Sequence, residues 1–456
     1  MKNKKQAIRN LRTSLKQRHL SMMSIGGVIG AGYFLGVGQA VIMAGPAVIL
    51  SYLFGGIVTM LVMILLAEMS VAMPLAGSFH LYAEISFGKW VGFITGWTYW
   101  LAFLIGPASE TIAAGTFLHL WFPSISVGYF CLIVATLLSL INIIGAKFFG
   151  EVEFWLSLIK VIALLIFIGS GIYTLGFHLN PNISFKNYTI HGGFLPYGYS
   201  GVLSAMMIVF FSYGGTESIA TAAEECVNPR KIIPRALIGT VLRIFLLFIL
   251  SIIVLLAVLP WNNDSIHASP YVVAFGILNG NVAANIMNFV VLTAALSCID
   301  TGIFATSRML LSLAQQNYFP KIFSYINPKT QTPIVAILLS CIMLYVGVIL
   351  SFLTPNAFTI LGSLSGFGFL FTWLIIALSQ PRFRKYILQT QPQSLTFKVK
   401  LTPYIQYLTV ALMLAILCGQ FFVTNGWITI TSGIIWILIA SIYYLIRVKH
   451  FMIRKD

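Results

Sequence analysis

Apolar residues run along this chain in long blocks separated by short polar stretches, from residue 21 to residue 446. The blocks predict helices over residues 21–44, 47–72, 90–119, 125–145, 152–176, 199–224, 236–259, 282–314, 333–353, 356–379, 402–424 and 427–446. A membrane's hydrocarbon core takes roughly 20 apolar residues per helix, and these blocks meet that length. The third and eighth are long enough to tilt strongly. The pattern is that of an all-α integral membrane protein with twelve transmembrane helices, and it leaves no room for a separate soluble domain.

Two of the blocks are interrupted by glycine. Helix one carries Gly26-Gly27-Val28-Ile29-Gly30-Ala31-Gly32, and helix six carries Tyr213-Gly214-Gly215-Thr216-Glu217. Backbone amides freed by a broken helix have no water to pair with in lipid, so a break survives only where protein or a polar cavity satisfies it. Breaks at matching positions of two halves point to the substrate site of a small-molecule carrier. Helices one and six are an odd number of spans apart, so the two halves enter the membrane from opposite sides. The expected architecture is an inverted five-plus-five repeat with discontinuous helices 1 and 6, plus helices 11 and 12. Its parts are a basic arm (1–20), a first repeat (21–176), a second repeat (199–379), the added helix pair (402–446) and a tail (447–456).

Charge sharpens this picture. Only 8% of the residues are charged, against about 25% in soluble domains. The net charge of +16 suggests nucleic acid until its distribution is read. With the N-terminus inside, every Lys and Arg except Lys160 and Lys186 falls in cytoplasmic loops, tails or helix ends. That is the positive-inside asymmetry; it predicts two cytoplasmic termini and argues against a nucleic-acid partner. Trp90, Trp121, Trp155, Trp261 and Trp427 fall near predicted helix ends, where interfacial aromatics belong. The first apolar block is long and lacks a small-residue cleavage site, so it reads as a retained helix rather than a signal peptide. Cys131, Cys226, Cys298, Cys341 and Cys418 have no metal-ligand spacing, and neither a disulfide, a metal nor a cofactor is indicated.

Several ordered motifs resemble one family. They are Arg18-His19-Leu20-Ser21 through Gly32, Gly150-Glu151-Val152-Glu153-Phe154-Trp155 with Ile159-Lys160-Val161, and Phe211-Ser212-Tyr213-Gly214-Gly215-Thr216-Glu217 through Asn228-Pro229-Arg230 to Pro234. Val291–Ser297 and Ser307-Arg308-Met309-Leu310 extend the match into helix eight. Together they resemble bacterial amino acid permeases of the amino acid–polyamine–organocation superfamily, of the amino acid transporter type. The resemblance implies a LeuT-like fold in the plasma (bacterial inner) membrane that takes up amino acids, often with protons. Asp300 departs from the pattern, since many relatives carry Asn or another small polar residue there.

The first break, through Ile25, Gly26, Gly27, Gly30, Ala31 and Gly32, offers free N–H groups and a half-helix dipole to a substrate carboxylate. Close helix packing through small-xxx-small spacing is the structural alternative. Carbonyls at Tyr213, Gly214 and Gly215 suit an ammonium group. Phe211 is an aromatic gate or a packing residue, and Ser365 belongs to the expected pocket wall in helix ten. Ionisable groups inside spans carry more weight, because each costs at least about 2.5–3.5 kcal/mol at mid-membrane. Lys160 needs a partner; the resemblance implies that its charge replaces a sodium ion bridging helices one, five and eight, whereas a static ion pair is the structural reading. Glu217, beside the second break, is expected to hold a proton, pair with Lys160 or bond free amides. Glu110 and Asp300 are candidates to face the cavity and select charge, or to make structural pairs. Glu68 reads as a solvated or snorkelling group at the end of helix two. Pro74–Trp90 resembles the family's segment at the cytoplasmic mouth and reads as a short structured loop, with a gating role as the alternative. Glu151 and Glu153, and Glu224 and Glu225 with Arg230, Lys231 and Arg235, read as inner-face salt bridges that stabilise an outward-open state, or as a solvated charge cluster.

Proton-coupled amino acid uptake by alternating access is the leading reading, with exchange of amino acids or amines without net proton coupling as its rival. No filter loop or polar ring suggests a channel. No nucleophile–base or metal spacing suggests an enzyme.

Overall fold

The computed structural model describes residues 25–74, 78–144, 149–221, 229–267, 269–327, 332–424 and 426–449. The basic arm, the Glu224–Glu225 pair, Cys226 and the tail beyond residue 449 lie outside the described residues. All regular structure among the described residues is helical. After one helical turn at 25–28, the principal helices are α1 (Ala31–Phe34), α2 (Gly36–Ala44), α3 (Val48–Ala72), α4 (Ser78–Phe87), α5 (Lys89–His119) and α6 (Val127–Ile144). They continue with α7 (Phe149–Gly176), α8 (Gly198–Tyr213), α9 (Ser218–Thr221), α10 (Pro229–Val258), α11 (Pro270–Asn279) and α12 (Asn281–Gln315). The last four are α13 (Ile334–Leu353), α14 (Ala357–Thr390), α15 (Tyr404–Gly419) and α16 (Gly426–Tyr443).

Among the described residues, ten helical stretches are long and apolar enough to cross a membrane, and the protein is a multi-pass membrane protein. One of the ten, Ala31–Ala72, turns at Gly45–Ala47 between α2 and α3. Gly45 adopts φ 62°, and a side chain there would run into Pro196.

Four elements differ from the pattern read in the sequence. The stretch expected as a loop at 74–90 contains α4, which buries Phe79, Tyr82 and Ala83 on one face at helical spacing. An additional short helix, α11, starts with Pro270 in its first turn and ends at Gly280 with φ 85°. Helix α10 begins at Pro229 rather than 236, and α14 runs to Thr390 rather than 379.

The core is central and the periphery is loose. In α5, 83% of the apolar window is buried, against 22% in the span Gly426–Ile446. α5 packs along α12 and α14, α10 along α3, and α8 along α2. Exposed apolar residues such as Leu137, Ile141, Leu165, Ile166 and Leu438 lie outside this core, as a lipid-facing surface requires.

Glu68 corrects the expectation of a solvated position. It is 1% exposed, and Gln380 Nε2 donates to its Oε1 at 2.7 Å while Val399 N donates to Oε2 at 2.5 Å. Arg384 Nε stands 3.5 Å from the same carboxylate, and Arg384 Nη1 also donates to Thr402 Oγ1 at 2.7 Å. One carboxylate therefore ties α3 to α14 and to the 395–403 segment. Replacing Glu68 with Ala leaves a buried amide, a carboxamide and a guanidinium short of a partner. We expect a loss of roughly 3 kcal/mol, read as a lowered Tm in detergent, with Glu68→Gln clearly milder. Equal Tm values for the two variants would contradict this account.

Candidate functional site

Both interruptions occur where the glycines stood in the sequence. After the turn at 25–28 the backbone extends through Gly30 (φ −126°, ψ −162°) and the helix restarts at Ala31. The second helix ends at Tyr213; Gly214 is extended (φ −58°, ψ 145°) and Gly215 has φ 97°, where glycine carries no Cβ penalty. The breaks touch. Ser212 Oγ donates to Gly32 O at 2.5 Å, and a Cβ at Gly215 would lie 3.4 Å from Gly27 O.

Each break has a buried carboxylate on its freed amides. Ala31 N donates to Glu110 Oε2 at 2.8 Å and Gly32 N to Glu110 Oε1 at 2.9 Å. These are the first two amides of the restarted helix, its positive end. At the second break, Gly215 N donates to Glu217 Oε1 at 3.2 Å and Trp373 Nε1 donates to Oε2 at 3.1 Å. Of the three roles weighed for Glu217, the hydrogen bond to a freed amide is present, and Lys160 is not among its hydrogen-bond partners in the described residues.

Lys160 is fully buried and ties three elements together. Its Nζ donates to Gly26 O and to Ser297 Oγ, both at 2.8 Å, linking α7 to the first break and to α12. Ser297 Oγ in turn donates to Glu153 Oε2 at 2.5 Å, and Ser157 Oγ donates to Glu153 O at 2.6 Å. Glu153 is only 2% exposed and bonded to Ser297, so it is not a solvated charge. It lies beside the first break, close enough that a side chain on Gly26 would strike it.

A cavity of about 50 Å³ lies between the breaks, α5, α12 and α14. Of the expected residues, Gly27, Gly32, Glu110, Phe211 and Gly214 line it. The others stand behind its walls. Ile25 is buried, Gly26 serves Lys160, and Gly30 and Ala31 back onto Glu110. The Tyr213 hydroxyl donates to Tyr52 O at 3.1 Å, and Ser365 Oγ donates to Ala102 O at 2.8 Å. Asp300 does not line the cavity. It turns to α6, where Asn142 Nδ2 donates to its Oδ1 at 2.5 Å, and its neighbours Cys298, Thr301 and Gly302 are the α12 residues in the wall. Phe103, Pro107 and Phe369 also line it. Sequence reading missed these residues and Cys298, because no charge or glycine run marks them. The helical phase from Glu110 back through Pro107 and Phe103 was the available signal.

The site therefore presents paired backbone breaks, a carboxylate-binding helix end and a buried lysine in a membrane bundle. The family profile described as amino acid permease matches residues 19–456. The chain belongs to the amino acid permease family. A gamma-aminobutyric acid permease of Bacillus subtilis is 39% identical over 418 residues, covering 91% of this chain and 89% of its own length. A gamma-aminobutyric acid permease of Escherichia coli is 38% identical, covering 90% and 88%. A putative histidine permease of Bacillus subtilis is 36% identical, covering 93% and 91%. The permease is a transporter of amino acids and not an enzyme.

In this permease a methyl group at Gly30 would sit 2.8 Å from Glu110 Oε1 and collide with Cys298, whereas one at Gly27 meets only Thr301 Cγ2 at 3.3 Å. Overpacking of this kind costs about 1–3 kcal/mol, roughly 5- to 150-fold in an equilibrium constant. Gly30→Ala should therefore depress amino acid uptake at equal membrane abundance far more than Gly27→Ala, as measured with radiolabelled substrate. The opposite ranking would contradict the Glu110 geometry.

Proposed function

We propose that this permease takes up a small, unbranched amino acid, gamma-aminobutyric acid or a close analogue, by proton-coupled alternating access. The observation that carries the reading is the Glu110 carboxylate on the amides of Ala31 and Gly32. It supports this helix end as a carboxylate receptor, with Glu110 in the seat a substrate carboxylate takes. The cavity of about 50 Å³ is small with Glu110 in that seat, and the departure of that side chain would enlarge it. A displaced carboxylate in an apolar cavity pays the full cost of lost partners unless it takes a proton. Substrate entry and proton uptake then become one event. Gly214 and its neighbours face the ammonium end, and Phe211 closes over the bound molecule.

Lys160 is the second element of the proton pathway. Its bond to Gly26 O holds the unwound segment, and Ser297 relays it to Glu153. Glu217 completes the pathway at the other break. The walls support the choice of substrate: Gly27, Gly32, Ala102 and Gly106 leave a narrow slot, and Phe103, Phe211 and Phe369 limit its width. Two relatives at 38–39% identity carry gamma-aminobutyric acid in their names.

In this reading α1 with α2, and α3, are separate spans and α6 is a further one, which gives twelve. The repeats at 21–176 and 199–379 are inverted, and both termini face the cytoplasm of a bacterial inner membrane.

The test uses purified protein in proteoliposomes. The wild type should accumulate gamma-aminobutyric acid when the interior is alkaline. Lys160→Gln and Glu110→Gln should each lose pH-driven accumulation by about tenfold or more, with Lys160→Gln retaining counterflow of preloaded substrate. Undiminished uphill uptake by Glu110→Gln would sink the coupling proposed here, and failure of the wild type with this substrate would sink the substrate assignment.

A further inference from the structure

Phe211 is the residue through which α8 meets the cavity between the breaks. Its ring is enclosed by glycines of three other helices. A Cβ on Gly32 of α1 would lie 3.0 Å from ring carbon Cε1 and 3.3 Å from Cδ1. A Cβ on Gly362 of α14 would lie 3.1 Å from Cδ1 and 3.5 Å from Cε1. Both positions press on the same edge of the ring. At the opposite edge, a Cβ on Gly106 of α5 would stand 3.6 Å from Cε2, an ordinary van der Waals contact. The ring thus has no room for a methyl group toward α1 and α14, and room for one toward α5.

Gly32 and Gly106 line the cavity themselves, whereas Gly362 is buried in α14 behind the ring. Phe358, Gly362 and Gly366 follow at four-residue spacing, so they share one face of α14. The Phe358 ring meets Phe211 edge-on, with centroids 6.2 Å apart. A Cβ on Gly366 would run into Met207 O and stand 3.3 Å from Phe211 N. Backbone contact at Gly366 therefore holds α8 against α14, one turn from Gly362. A group added at Gly362 is answered by the two side-chain ends it meets, Ile208 Cδ1 at 3.1 Å and the Phe211 ring. The ring can turn only toward Gly106, across the cavity.

We propose that Gly362 is a positioning residue for substrate size: its missing side chain seats the Phe211 ring back against α14 and so sets the girth of amino acid that fits. This rests on the reading that the substrate lies in this cavity beneath Phe211. A methyl group at Gly362 moves the ring by a few tenths of an ångström. Close-packed surroundings transmit so small a shift, and the bulkiest substrates meet it first.

The probes are gamma-aminobutyric acid, β-alanine, 5-aminovalerate and the standard amino acids. Each is titrated into the full-length permease in detergent, and apparent affinity is read from the rise in Tm. Ala is the better helix former in mid-helix, so Gly362→Ala should assemble. It should weaken the bulkiest ligand that the wild type binds about tenfold more than the slimmest. In a Phe211→Leu background, which lacks the ring edge, Gly362→Ala should change that ratio by no more than about twofold. Equal losses for both ligands, or the same change of ratio with Phe211→Leu, would overturn the proposal. If Phe211→Leu binds nothing, the ratio in Gly362→Ala alone decides. A wild type that binds other amino acids but not gamma-aminobutyric acid overturns only the substrate assignment, because the ratio is taken among the ligands that do bind. A wild type that binds none of the probes overturns both.

Discussion

A backbone N–H that leaves its helix inside a membrane must find another acceptor, and this molecule is arranged around two places where that happens. Each break frees amides at a depth where water is absent. Glu110 reaches across from α5 to take those of Ala31 and Gly32, and Glu217 takes that of Gly215. The freed carbonyl of Gly26 is met by Lys160. Two carboxylates and one ammonium thus supply what a continuous helix would have supplied by itself. Their burial is tolerable because each has polar partners, and removing any of them strands a backbone group.

The same requirement explains how function and stability share residues. An amide that must be paired in the empty carrier is available to pair with a substrate only if its resident partner can leave. Glu110 is bound through amides alone at this end, with space beside it. Glu68 is held by Gln380, Val399 and Arg384 together, deep in packing between α3 and α14. The first arrangement suits exchange and the second suits permanence, although both are single buried glutamates in apolar helices.

How much of this was legible in the sequence follows from what each signal reports. Apolar blocks report burial or lipid, so most of the long helices emerged near their places, although α14 runs eleven residues further, and glycine density marked both breaks. Intramembrane charge marked Lys160, Glu110 and Glu217 as residues of interest. Direction was not legible, because which face of a helix meets which neighbour is set by tertiary packing. Asp300 and Cys298 are two residues apart on α12, yet Asp300 turns to Asn142 and Cys298 to the cavity. Glu153 looked like an inner-face charge from its place in the chain, and Ser297, nearly 150 positions away, reveals it as a partner of the lysine network. α4 was missed because ten residues with a half-buried face carry a weaker periodic signal than a membrane span.

The bond from Ser212 to the Gly32 carbonyl has a mechanical meaning beyond pairing a polar atom. In the alternating-access cycle proposed above the two breaks would act as hinges, and a rivet between them would leave one coordinate where there would have been two, at the cost of a single serine hydroxyl.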